Sequence, residues 1–133
     1  MPGYTKLNLT DDVEDTARKH DMPEEMEVHF PGTDLEAEQL AVSHQRYGPN
    51  FRQPFGHTHE GQEEVYVITR GGGRMALGEE VIDVREGDAI RVAPDTPRCF
   101  EGGEEGIELL AIGAHAGAEA KNDAEQMPGW WPE

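Results

Sequence analysis

Cysteine is all but missing from this chain. Cys99 stands alone among 133 residues, so no intrachain disulfide can form and a reducing compartment is the natural setting. Lysine is nearly as scarce, at Lys6, Lys19 and Lys121, and the basic residues together number 11 against 28 acidic ones, a net charge of -17. A nucleic-acid duplex or an acidic membrane surface would repel such a chain, so neither is expected as a partner. There is no apolar run long enough to span a bilayer, and the first residues, Met1 to Thr10, hold no apolar signal core. The expected location is the cytoplasm. An acid-rich, lysine-poor composition also suits work at high salt, where repulsion is screened within ~3 Å at 1 M. An ordinary acidic protein kept soluble by its charge has the same composition; the halophile-like reading is preferred. Other chemistries are excluded by missing motifs. No glycine loop precedes a helix to cradle phosphate, no nucleophile elbow occurs, and no paired cysteines could hold zinc.

What the chain does have is 16 glycines and nine prolines separating short apolar runs, the pattern of many short strands and turns. The fold class read from this is all-β, and the length fits one domain. Residues 1–25 are polar and acidic and read as a surface arm, with a short helix begun at Thr10 or Asp11. Met26 to Phe30 alternates weakly before a Pro31-Gly32 turn. Glu38 to Tyr47 reads as a strand with Leu40, Val42 and His44 on one face. His44 is therefore a minor candidate for the interior. Further strands are expected at Glu64 to Thr69, Glu80 to Arg85, Ala89 to Ala93, around Arg98 to Glu101, and at Gly106 to Gly113. Gly71-Gly72-Gly73 reads as a turn between strands, as do Gly78-Glu79 and Glu86-Gly87-Asp88. Residues 114–133 read as a tail, and its adjacent Trp130 and Trp131 are expected to dock on the same chain.

The chemistry is concentrated between Gly48 and Gly71. Alternate residues of a strand share a face, so His57 and His59 project together, with Thr58 turned away. After a short turn, Glu64 opens a β-branched, aromatic run and can face the same point. If that turn is one residue shorter, Glu63 takes its place. Two neutral imidazoles and a carboxylate form a three-ligand set that holds a divalent transition metal with positions left open. Tyr66 and Ile68 share the face of Glu64 and are expected to line the pocket.

Gly56, His57, His59, Glu64 and Gly71 together resemble the first motif of the cupin superfamily, with looser spacing before His57. Gly87 through Pro94 and Pro97 to Arg98 resemble the second motif, in which a histidine stands where Arg98 stands here. The resemblance implies a single-domain cupin, a jelly-roll-like double-stranded β-helix over residues 26–113. It implies a metal site inside the barrel at His57, His59 and Glu64, a small-molecule ligand, and a homodimer. The metal would be iron, manganese, zinc, nickel or copper, and a cupin isomerase or dioxygenase is the activity that this likeness suggests.

Arginine has no lone pair and cannot be a fourth ligand. Two outcomes stay open. Arg98 and Tyr66 contact an anionic substrate such as an organic acid or phosphorylated sugar, beside a metal that the other residues hold. Alternatively, Arg98 pairs with Glu64 in place of the cation, and the barrel is a metal-free binding or sensor module. Arg52 and Arg91 could add charge at the barrel mouth or simply form salt bridges. Phe100 shares the parity of Arg98 and is expected as a pocket wall, whereas Cys99 faces away as a small buried hydrophobe.

Overall fold

The computed structural model describes residues 3–114 and 123–133. Its elements are a one-turn helix α1 (Thr16–Lys19), strands β1 (Met26–His29), β2 (Leu40–Tyr47), β3 (Phe55–Thr58), β4 (Glu63–Leu77), β5 (Glu80–Arg85), β6 (Ala89–Val92), β7 (Arg98–Ala114) and β8 (Glu125–Pro128), and a 3-10 turn at Gly32–Leu35. Every strand pair is antiparallel.

β4 and β7 are the frame. Residues 107–114 of β7 pair with β2 on one side and with the first half of β4 on the other, while residues 98–102 pair with the second half of β4. One half of the curled sheet therefore runs β1-β2-β7-β4-β6 and the other β8-β3-β7-β4-β5. The result is a single-domain β-barrel. Met26, Tyr47, Tyr66, Ile68, Met75, Phe100, Ile107 and Leu109 fill it, each at most 2% exposed, and burying a side chain of this size contributes about 1.5–3 kcal/mol.

The glycine runs have a different role from the one their composition suggests. Gly71, Gly72 and Gly73 lie inside β4, and Gly102 and Gly103 lie inside β7, so neither run is a turn between strands. They sit where both strands bend from one half of the sheet into the other, with register shifts on either side of Gly71. A Cβ on Gly71 would fall 2.1 Å from the Gly106 carbonyl oxygen, and one on Gly73 would fall 2.0 Å from that of Glu101. Close backbone approach requires glycine at these bends.

Two expectations at the ends also change. The helix starts at Thr16, because Asp15 supplies the cap by accepting from the Ala17 N–H at 3.0 Å. Thr10 and Asp11 instead donate their N–H groups to the Asn8 side chain, closing a local turn. The arm also buries Val13 and Ala17. At the other end, residues 125–128 form β8 and pair with β3; the tail from 115 to 122 lies outside the described residues. Both indoles dock on the same chain. A Cβ on Gly56 would meet the Trp130 ring at 2.7 Å, and Trp131 stacks 4.0 Å beneath the Arg52 guanidinium.

Candidate metal centre

β3 presents His57, and His59 follows one residue past its end, held there by its N–H donating to the Pro94 carbonyl at 2.7 Å. Glu64 is the second residue of β4. Its side chain faces inward and is 10% exposed, whereas Glu63 points out to Arg91 and is 51% exposed. Parity therefore assigns the carboxylate to Glu64.

One oxygen of Glu64 is the hub. Its Oε1 lies 3.3 Å from His57 Nε2, 3.2 Å from His59 Nε2 and 3.5 Å from Arg98 Nη1, and it accepts the hydroxyl of Tyr66. Burial would raise the Glu64 carboxyl, but the adjoining His57 and His59 imidazoles and the hydroxyl of Tyr66 hold it far below the usual carboxylate range. Burial lowers His57. It acts on His59 in the same direction, but Glu64 and Asp123 outweigh it and the net shift is upward.

Asp123 is the residue that no sequence pattern announced. It reaches the site from the C-terminal stretch, 64 residues from His59, and its carboxylate is 4% exposed. Its Oδ1 accepts from His59 Nδ1 at 2.6 Å, while Oδ2 accepts the N–H groups of Gly61 and Gln62 at 2.6 and 3.1 Å. In the neutral ring the His59 proton is committed to Nδ1, which leaves the Nε2 lone pair for a metal. That nitrogen is buried without a hydrogen-bond partner, and it faces a carboxylate oxygen. In that neutral ring two electron-rich atoms face each other at 3.2 Å, an arrangement that a cation fits. The fit extends to spacing, since donors at about 2.1 Å from one ion and at near-right angles lie about 3 Å apart. The three side chains thus fit a divalent metal.

The site opens on a cavity of about 870 Å³, within the range of small-molecule pockets. His57, His59 and Glu64 form part of its wall, with Ser43, Gln45, Gln53, Gln62 and Gln126 among the polar lining. Residues 43–113, more than half of the chain, match the cupin domain family. This chain belongs to the cupin family.

Similar structures agree with that assignment. A cupin protein from Bacteroides fragilis superposes with a TM-score of 0.70 at 26% identity, covering 89% of each chain. An oxalate decarboxylase variant of Bacillus subtilis gives 0.72 at 21% identity, covering 91% of this cupin and 32% of that chain. A nucleoside dehydratase from Streptomyces gives 0.70 at 18%, covering 93% of this chain and 92% of its own. At such identities the last two speak for the fold alone. An uncharacterized protein of Methanocaldococcus jannaschii is 42% identical over 45 residues, about a third of either length.

Within this cupin the remaining expected residues fall into separate places. Arg98 is 1% exposed; its Nη2 donates to the Ala93 carbonyl at 2.7 Å, and Nε and Nη1 lack hydrogen-bond partners. It stands behind Glu64, off the cavity wall. Tyr66 and Phe100, also 1% exposed, pack edge to face at 5.1 Å beneath the carboxylate instead of lining the cavity. Arg52 pairs with Glu101 at 2.9 Å. Burial pushes the Cys99 thiol up to about 12, and Cys99 is fully enclosed. His44 lies on the outer face of β2. The inner face carries Ser43, Gln45 and Tyr47, linked as Tyr47 hydroxyl to Gln45 Oε1 at 2.8 Å and Gln45 Nε2 to Ser43 Oγ at 3.0 Å. The apolar residues around His44 alternate in a way that supports either face, and pairing with β1 fixes His44 on the outer one. Tyr47, the one aromatic of β2, was the available signal for the inner parity.

Proposed function

We propose that this cupin holds a divalent transition metal at His57, His59 and Glu64 and binds a small anionic metabolite, an organic acid or phosphorylated sugar, at the open coordination positions. The observation that carries this reading is His59: its Nδ1 is tied to Asp123, and its buried Nε2 is aimed at the Glu64 carboxylate without a hydrogen-bond partner. Such a histidine is oriented for a metal, and carboxylate partners on Nδ1 are the usual means. The metal would supply Lewis acidity toward a bound oxygen and, if it is iron, redox chemistry.

The chain's own residues account for ligand charge and orientation. Arg98 offsets one of the two carboxylates, Glu64 and Asp123, so a divalent ion leaves the site net positive in a poorly screened interior, which favours an anion. Arg98 acts on the ligand through this charge, from behind the carboxylate. The hydrogen-bonded ladder of Tyr47, Gln45 and Ser43 leaves the Ser43 hydroxyl to meet polar ligand atoms, and the Gln62 amide lies against Gly113, where a Cβ would collide with it at 1.9 Å. The proposed setting is cytoplasmic.

A second reading rests on the 3.5 Å approach of Arg98 to Glu64, which could replace the metal altogether and leave a metal-free binding module. Metal content after loading and dialysis separates the two. Untagged protein should retain one equivalent more than His57→Ala; equal content in the two would favour the metal-free module.

A further inference from the structure

β1 and β2 place a second histidine pair on the outside of the barrel. Their register sets His29 opposite His44 and Glu27 opposite Arg46, while Met26 and Val28 point inward. The His29 and His44 rings lie 5.8 Å apart. His29 is 4% exposed, and its Nδ1 lies 2.8 Å from the Val13 carbonyl. A carbonyl can only accept, so the proton belongs on Nδ1. His29 Nε2 lies 2.7 Å from Glu27 Oε2, a contact that either a proton on Nε2 or, in the neutral ring, a shared cation fits.

His44 completes the group. Its Nδ1 is buried without a partner, and its Nε2 lies 3.6 Å from Glu108 Oε2. One ligand atom each from Glu27, His29 and His44 falls within 4.8 Å of the others. Arg46 occupies only Oε1 of Glu27, at 2.9 Å, and leaves Oε2 turned toward His29. We propose that Glu27, His29 and His44 form a second divalent-cation site, distinct from the interior one, with Glu108 beside it.

Charge suits a cation at this outer site. Glu27 and Glu108 set two negative charges against the one positive charge of Arg46, the same balance as Glu64 and Asp123 against Arg98 inside the barrel. Access is direct, since the Glu27 and Glu108 side chains are 26% and 27% exposed. Imidazole and carboxylate donors suit zinc, nickel, cobalt or copper over magnesium or calcium.

The site also has something to hold. Through Nδ1, His29 grips Val13, and two residues on the Asp15 carboxylate accepts the Val28 N–H at 2.9 Å. The arm so anchored contributes Thr16, Ala17, His20 and Met22 to the interior cavity. A cation that locks His29 therefore locks one wall of the cavity.

The test is a calorimetric zinc titration of the His57→Ala/His59→Ala variant, which lacks the interior ligands. It should still bind one equivalent, and His44→Ala added to it should abolish that binding. His44→Ala leaves the contacts of His29 to Val13 and Glu27 in place. Should the double variant not fold, His44→Ala in the otherwise native chain should lower zinc stoichiometry by one equivalent. Tryptic cleavage at Arg18 and Lys19 should slow about tenfold or more with zinc well above Kd, in His57→Ala/His59→Ala but not once His44 is removed. No zinc uptake by the double variant, or uptake and protection unchanged by His44→Ala, would overturn the proposal and mean that a proton bridges His29 and Glu27. Failure of the interior site would show separately, as equal zinc content in the native chain and the double variant.

Discussion

Arg98→Gln removes a fixed charge from behind Glu64 while keeping a polar side chain of similar reach. An ion held by Glu64 Oε1 would sit roughly 5 Å from a guanidinium that is 3.5 Å from the same oxygen. At an effective dielectric of about 20, the repulsion of the guanidinium for each unit of metal charge is ~3 kcal/mol. Taking that value as the conservative net effect, Kd for the interior metal should fall about a hundredfold. Screening by solvent does little to reduce this, because Arg98 is 1% exposed. The metal-free protein should respond in the opposite direction. Glu64 loses its only fixed positive partner among the described residues, so the melting temperature should drop without metal and recover when metal is added. Competition titration against a chelator of known affinity, carried out in His44→Ala so that only the interior site reports, measures the first effect, and thermal melts measure the second. Arg98→His, which also supplies a ligand, should bind more tightly than Arg98→Gln. A Kd within about threefold of the parent for Arg98→Gln would refute the electrostatic reasoning, because it would place the guanidinium charge outside the reach of the metal.

Asp123→Asn should weaken interior metal binding by about 10- to 100-fold with the strand content intact by circular dichroism, because the amide can no longer fix the His59 tautomer; an unchanged Kd would remove Asp123 from the site. Glu101 accepts from both Arg74 and Arg52, at 2.8 and 2.9 Å. Burial would raise its carboxyl, but those hydrogen bonds hold it below the usual value. Stability from such a group is present above the unfolded pKa and lost as pH falls through the folded one. Denaturant melts should therefore show Glu101→Gln about 1 kcal/mol less stable than the native chain at pH 7, and the gap should close toward pH 3. A gap that is independent of pH would point to packing instead.

The sequence carried the interior ligands legibly, because alternation along a strand is local: His57, His59 and Glu64 needed only a short turn of the right length to meet. Most strand positions before residue 114 were legible for the same reason, down to the turns at Gly78 and Gly87, whereas β8 lies in what reads as a tail. The misreadings were long-range. Gly71 to Gly73 look like a turn to any local rule, and only the carbonyls of Gly106 and Glu101 pressing against them show that they are bends in a continuous strand. His44 could have taken either face, and its partner in β1 settled the matter. Asp123 reads as one more acid in an acidic tail until the fold returns it to His59. Arg98 was visible as a departure from the cupin pattern, but its position behind the carboxylate depends on Ala93 and Tyr66 and could not be read from spacing.

The most direct test is an anomalous-difference map from crystals of the protein loaded with a divalent transition metal. A peak is predicted at about 2.0–2.2 Å from His57 Nε2, His59 Nε2 and Glu64 Oε1, with the Arg98 guanidinium behind the carboxylate. A map that is empty there at saturating metal, with Arg98 hydrogen-bonded directly to Glu64, would contradict the account.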